Sequence, residues 1–295
     1  METVKKEKKI NTVGSKVGFY VFCGFLTLCV IIPFYVVFVT SITSWQEIAQ
    51  SGLEKGFIWW PSKIDFSSYK KIFETDYNAI NGIPTLLRAF FNTIWMTLFT
   101  VGFNLFFSSL AAYAYTKVQF KGKEAIFMIQ LATMMIPGAT MTIPSVVFYN
   151  MLGWVGTRLP VLIPGMFGGA SAIFFFRSYF QGISNEYFEA AKIDGLGEFE
   201  CFLRIMIPLS IPAYVAQFIF MFVNHYNSYT SSLIYLSYDP SVYTLQYVVD
   251  YLTSSYEETN AKCAIALTAL VPLIVIYLFA QKLFIEGVQA GGGKE

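Results

Sequence analysis

The sequence predicts an all-α integral membrane protein with six transmembrane helices. Composition is the first reason: of 295 residues, 55% are hydrophobic and only 13% charged, where a soluble domain carries about 25% charged residues. Patterning is the second. Mean hydropathy is +0.53, and the apolar residues gather into runs of roughly 20, the length that crosses a bilayer as a helix.

The first run covers about residues 17–39. Cys23-Gly24 within it resembles a lipoprotein processing site, but such a site takes a small residue before the cysteine, and Phe22 is large. The run is longer than a signal-peptide core of about 7–15 residues, and no A-x-A-like cleavage site follows, so it is expected to remain as an anchor. The second run covers about residues 92–115 and the third about 125–149. Pro137 and Pro144 interrupt the third, which predicts a kinked or partly unwound span at a contact where neighbours re-satisfy the freed backbone. The fourth covers about 159–180 and the fifth about 211–235, its end diluted by His225, Asn227 and several serines. The sixth covers about 264–284, and the glycines at 291–293 beyond it are expected to fray. No internal repeat is evident, and one transmembrane domain over residues 1–295 is expected.

Loop charges predict orientation, because lysine and arginine favour cytoplasmic loops. Lys5, Lys6, Lys8, Lys9 and Lys16 precede the first run, and Lys117, Lys121 and Lys123 follow the second. Both segments are expected inside, which puts both termini in the cytoplasm. The loop at 236–260 falls outside; it holds Asp239, Asp250, Glu257 and Glu258 with no lysine or arginine. Trp59-Trp60-Pro61, in the first outer loop, read as an interfacial anchor or as a contact for an outside partner.

Several chemistries are excluded or disfavoured. The net charge of +1 gives no sign of a nucleic-acid partner. The four cysteines (Cys23, Cys29, Cys201, Cys263) form no C-x-x-C pair, so neither a zinc site nor a redox motif is supported. The single histidine, His225, rules out H-E-x-x-H and two-histidine metal sites. No G-x-x-x-x-G-K-[ST] run is present, so this chain binds no ATP through a P-loop. Acidic residues lie almost wholly in loops, against an ion-driven carrier. A membrane-embedded transferase is disfavoured as well, since no acidic or histidine cluster lies at a span end.

The most informative segment is EYFEAAKIDGLGEFECFLRIMIP, Glu186 to Pro208, with seven charges between two apolar runs. Ser184 or Asn185 is placed to cap a helix, with Glu186 in its first turn near the positive dipole end. EYFEAAKI holds good helix formers, and Phe188, Ala191 and Tyr187 supply an apolar side. Asp194-Gly195 ends the helix, glycine suiting the left-handed position. A second helical piece, EFECFLRIMI, runs to Pro208. Ala190 and Ala191 leave room for a partner surface, and Glu189 offers it a charge. An ordinary amphipathic loop on the bilayer surface is the plainer alternative.

Glu189-Ala190-Ala191, Asp194-Gly195, Phe202, Arg204, Ile205 and Pro208 together resemble the EAA loop of ABC importer permeases. NTIWMTLF with AAYAYTKVQFKG, MIPGATMTIPSVVFYNMLGWVGT and QKLFIEGVQAGG are similar to further segments of that family's carbohydrate branch, in its smaller maltose-type permease. The resemblance covers about residues 15–292. It departs at Leu196-Gly197, where alanine-serine is usual, and at Glu198 and Glu200, which add negative charge.

The resemblance implies a type I ABC importer permease fold with a cytoplasmic coupling helix in a loop at 181–208. It implies a subunit without enzymatic activity in a bacterial-type cytoplasmic membrane, forming half of a sugar pathway. Its partners would be a second related permease, two cytoplasmic P-loop ATPases that bind the ATP and Mg, and an extracytoplasmic sugar-binding protein. The chain itself would carry no cofactor and no metal. Glu189, Ala190, Ala191, Asp194, Gly195, Phe202 and Pro208 would serve ATPase coupling. Asn92, Asn104, Asn224 and Asn227 are candidates for the substrate pathway, each equally able to bond a neighbouring helix. The loop at 236–260 is similar in position to one that reaches into the binding protein, and Tyr235, Tyr238, Tyr243 and Tyr247 would suit protein or sugar contact. The same machine serving a non-sugar solute is the alternative.

Overall fold

The computed structural model describes residues 13–54, 58–74, 80 and 82–292. Lys5, Lys6, Lys8 and Lys9 and the last three residues lie outside them. The chain divides into two compact units, one of residues up to 74 with 253–268, the other of 75–252 with 269 onward.

The first unit holds α1 (Val13–Ser41), α2 (Trp45–Glu54), α3 (Ser67–Glu74) and the start of a long last helix, α15 (Thr259–Gly292). Helix α1 is apolar all round and outward-facing along most of its length, as a lipid-facing helix is. Its last turn and the residues after it are buried, at Val39, Ser41, Ile42 and Thr43. Buried Asn260 donates its amide to the Thr43 carbonyl at 3.1 Å, and Lys71 pairs with Glu258 at 2.9 Å. Trp59 and Trp60 are exposed.

The second unit is built around α4 (Thr85–Lys117), a 33-residue helix. After it come α5 (Lys123–Thr133), a 3-10 turn (Gly138–Met141) and α6 (Thr142–Met151), the two arms bent by 85°. Pro137 causes the break: it has no N–H to donate and biases the residue before it away from helix. Pro144 falls in the first turn of α6, where the missing N–H is one the helix leaves unpaired anyway. The fourth run becomes α7 (Leu159–Met166) and α8 (Ala170–Gln181), separated at Gly168, whose φ is +80°. Next come α9 (Glu186–Ile193), α10 (Glu198–Cys201), a π turn (Phe202–Met206) and α11 (Ile207–Leu209). Helix α12 (Ile211–Tyr226) then turns away, bent by 80° from the segment before it.

The fifth run ends earlier than its composition suggests. Helix α12 stops at Tyr226, and residues 229–235 form a separate helix, α13 (Tyr229–Tyr235). A 3-10 turn (Pro240–Val242) and α14 (Leu245–Ser255) follow. The sixth run lies in α15, which continues through Gly291 and Gly292 rather than fraying before them.

Four helical stretches are long and apolar enough to cross a membrane, and the two bent pairs raise this to six among the described residues. The core of the second unit joins α4, α8, α9 and the residues that follow α9: Val101, Ala112, Tyr113, Phe176, Phe180, Phe188, Phe202 and Met206 are buried together. Between lipid-soluble helices close packing, rather than expulsion from water, supplies association. Glycines allow it here. A Cβ on Gly165 would stand 2.4 Å from the Thr100 methyl, and one on Gly168 would stand 2.7 Å from Ser108 Oγ.

Candidate functional site

Helix α9 shows two contrasting faces. Phe188 and Ala191 are buried in the core, whereas Glu189, Ala190, Asp194 and Gly195 are exposed. Ile193, at its end, is 87% exposed and Tyr187 56%. The apolar side is therefore Phe188 and Ala191 without Tyr187. An eight-residue helix that leaves such side chains uncovered offers a surface rather than finishing a core.

The cap differs from expectation in a physical way. Ser184 Oγ accepts from the Glu186 N–H at 3.3 Å. Asn185, at the capping position, turns its side chain elsewhere: its Oδ1 accepts from Lys117 Nζ at 2.7 Å. The same ammonium donates to the Ile183 carbonyl at 2.6 Å and lies 5.2 Å from the Phe188 ring centre. Lys117, at the end of α4, thus holds the chain where it enters α9.

At the other end Gly195 has φ +86°, the left-handed conformation expected of it, and no atom within 4 Å of the position a Cβ would take. The two extra carboxylates are engaged inside the loop. Glu198 accepts from Tyr113 on α4 at 3.1 Å and from Lys192 of α9. That carboxylate holds the Lys192 ammonium above the usual lysine range. Glu200 accepts from the Gly197 N–H at 3.2 Å, half of a capping box, and lies 3.5 Å from Arg204. Their charges are largely answered within the chain.

Phe202 is fully buried, its ring 5.5 Å from Tyr113 and 6.0 Å from Phe106. It opens the π turn, an irregularity that recurs at functional sites. Pro208 is exposed just before the 80° bend. The seven coupling candidates therefore separate. Glu189, Ala190, Asp194, Gly195 and Pro208 face outward; Ala191 and Phe202 face the chain's own interior.

The four asparagines separate too. Asn92 is buried and donates to the Ser241 and Tyr243 carbonyls at 2.9 and 3.0 Å, while its Oδ1 lies 3.3 Å from an Arg158 nitrogen. Arg158 also donates to the Ser241 carbonyl at 3.0 Å, and Thr93 Oγ1 accepts from the Leu245 N–H at 2.7 Å. Asn104, also buried, donates to the Gly165 carbonyl at 2.6 Å and accepts from Ser108. Asn224 and Asn227 are exposed; each donates to its own helix, and Asn227 Oδ1 accepts from Gln246. Asp239 caps the 3-10 turn through the Ser241 N–H and hydroxyl, both at 2.8 Å, and these bonds hold its carboxyl below the usual range. Tyr235 and Tyr247 pack in ring pairs, and burial raises the Tyr243 phenol to about 12.

Sequence reasoning did not find Tyr113, Lys117 and Arg158 as site-shaping residues. Lys117 entered it only as an orientation charge, although a lysine one turn from a tyrosine at a span end was a signal for a tied loop. Among the described residues, no group of three or more histidine, cysteine, aspartate or glutamate side chains could hold a metal ion.

Comparison with known proteins decides the family. The family described as binding-protein-dependent transport system inner membrane component matches residues 104–289, which contain α9 and the segments on either side. The chain belongs to this family. It is a permease subunit of an ABC importer and not an ATPase. The arabinooligosaccharides transport system permease protein AraQ of Bacillus subtilis strain 168 is 31% identical, over 95% of this chain and 96% of its own. The polygalacturonan/rhamnogalacturonan transport system permease protein YtcP of the same organism is 25% identical, over 93% of this chain and 96% of its own. A crystal structure of a bacterial ABC transporter involved in the import of the acidic polysaccharide alginate superposes with a TM-score of 0.79. The matched chain there shares 25% identity, over 96% of this chain and 100% of its own.

Proposed function

We propose that this permease imports an oligosaccharide or related carbohydrate, forming half of the pathway and taking its drive from a separate ATPase that docks on α9. The observation that carries the reading is the two-faced α9. One side is fixed in the core by Phe188 and Ala191, and the other presents Glu189, Ala190, Asp194 and Gly195, all exposed among the described residues. The carbohydrate class is supported by the relatives named for arabinooligosaccharides and for polygalacturonan/rhamnogalacturonan.

On this reading the α9 side faces the cytoplasm, both termini lie inside, and the segment holding α13 and α14 faces outward, in a bacterial-type cytoplasmic membrane. The whole chain works as one permease domain beside a second, related permease. Two P-loop ATPases bind the ATP and Mg, and an extracytoplasmic binding protein delivers the sugar. Glu189, Ala190, Asp194, Gly195 and Pro208 form the contact. Ala191 and Phe202 serve coupling from beneath, by setting the pose of α9. Asn224 and Asn227 remain the pathway candidates, while Asn92 and Asn104 are assigned to holding helices and loops together.

Affinity purification of tagged chain in mild detergent, with mass spectrometry of what accompanies it, tests the assembly. Recovery of a second permease and a P-loop ATPase is expected. A chain recovered alone even after cross-linking would overturn the reading.

A further inference from the structure

We propose that α4 links the two faces of the permease, pinned at one end to the loop ahead of α14 and at the other to α9, so that events at the two faces reach each other through this helix. The inference rests on the reading of α9 as the coupling helix and goes beyond it by naming the element and residues that carry the link.

The pin at α9 is made by a single turn of α4. Tyr113 and Lys117 are four residues apart and therefore share a face. Lys117 holds the entrance to α9 through the Ile183 carbonyl and Asn185. Tyr113 holds its exit through Glu198, whose other oxygen takes Lys192. Phe188 lies between them, its ring 6.0 Å from that of Tyr113 and 5.2 Å from the Lys117 ammonium. Helix α9 is gripped at both ends and on its buried face, so it cannot shift without moving the end of α4 or breaking these bonds.

The opposite pin is equally specific. Asn92 binds two consecutive-but-one carbonyls, of Ser241 and Tyr243, and Arg158 braces Ser241 from the side. Thr93 receives the first N–H of α14, from Leu245. Twenty-one residues separate Asn92 from Tyr113, about 30 Å of helix at 1.5 Å per residue. Kinks come from proline, glycine–serine pairs or π-bulges; α4 contains no proline and is unbroken throughout. Its middle is packed too closely to give, with Val101 and Ala112 fully buried and Gly165 and Gly168 against Thr100 and Ser108.

Stability alone is a poor reason for the Glu198 bridge. Its side chain and that of Lys192 are each 45% exposed, and exposed ion pairs contribute little to folding. A bridge whose position ties a surface helix to a long rigid one is better suited to transmitting displacement.

A double-mutant cycle separates a link from two independent supports. The full complex is placed in proteoliposomes with the binding protein recovered alongside it, and an arabino-oligosaccharide mixture is the probe. The readout is the ratio of ATP hydrolysis with and without the loaded binding protein. Glu198→Gln and Asn92→Ala should each lower that ratio, by about two- to thirtyfold, the range for residues along a coupled network. The double variant should be no worse than the more severe single one. Tyr113→Phe and Thr93→Val each delete one hydrogen bond with little change of shape, and this pair must show the same non-additive pattern, which decides the matter if the Asn92→Ala complex fails to assemble. Losses that multiply, or a ratio that no variant changes, would overturn the link. A wild-type complex that is neither stimulated nor able to take up sugar would overturn the functional reading and the link with it. Stimulated wild type with multiplying losses would overturn the link alone.

Discussion

Gly195 sits at φ +86° with open space where a side chain would begin, so a substitution there meets strain from its own backbone before it meets any neighbour. An L-residue in that conformation costs about 1–2 kcal/mol, more for a β-branched one. Gly195→Val should therefore lower sugar uptake and stimulated ATP hydrolysis while the chain still inserts. Gly195→Asn separates the two ways this can happen, since asparagine tolerates the left-handed region but adds bulk to the docking face. Near-normal uptake for Gly195→Asn, measured beside Gly195→Val, identifies the turn itself as the requirement; equal loss in both identifies the space above it. Phe202 makes a different prediction. It is fully buried among Phe106, Phe199 and Tyr113, and Phe202→Ala should cost about 3–5 kcal/mol of stability, seen as a lower unfolding temperature in detergent. Asp239 supplies a pH dependence. Its carboxyl is held below the usual range by the Ser241 N–H and then the Ser241 hydroxyl. A depressed carboxylate adds stability that is present above the unfolded value of about 3.9 and lost as pH falls through the lower folded value. Hydrogen exchange of residues 238–244 should thus show the same protection factor from pH 8 to 5 and lose protection only below about pH 4. Protection that falls between pH 7 and 5 would contradict this. Gly195 was readable from sequence because a left-handed turn depends on its own residue. The task of Asn92 was not, because its partners lie 149 and 151 residues away.

Among the elements, the contact of α4 with the α7–α8 pair is the most constrained. A Cβ on Gly165 would strike the Thr100 methyl at 2.4 Å, with the Thr100 Cβ itself at 3.8 Å. Gly165→Ala should therefore destabilise the protein by about 1–3 kcal/mol through overpacking, and Thr100→Ala should restore most of that loss by removing the one methyl in the way. Unfolding temperatures of the two single variants and the double measure this directly; a double variant less stable than Gly165→Ala would show that the close approach is not what fixes the pair. The break in the third run was legible, since proline acts locally and Pro137 stands where the helix stops. The short helices after α9 were legible as a helical piece but their π turn was not, because one extra residue in a turn leaves no mark on composition. The end of α12 was misjudged for a similar reason: residues 229–235 are as helical as those before them, and what separates the two helices is backbone geometry at Asn227 and Ser228.

At the level of the whole molecule, composition and run length sufficed for the membrane class, since lipid leaves a backbone few alternatives to helix, and for up to six crossings among the described residues, four as single helices and two as bent pairs. The division into two units was not legible, because it depends on which distant segments pack together. The separation of the seven coupling candidates into an outward set and a buried set was legible only for Ala191, which the helix periodicity placed beside Phe188; the burial of Phe202 depends on its packing against Tyr113 and Phe106 of α4. The proposed permease carries sugar across a membrane under the drive of an ATPase held at α9. The most direct test is ATP-dependent uptake of labelled arabino-oligosaccharides into proteoliposomes holding the recovered complex, with wild-type chain beside Gly195→Val. Uptake should require ATP and the binding protein and should fall sharply in the variant although the complex is still present in the membrane. Uptake of equal extent in both, or none in wild type with any oligosaccharide supplied, would contradict it.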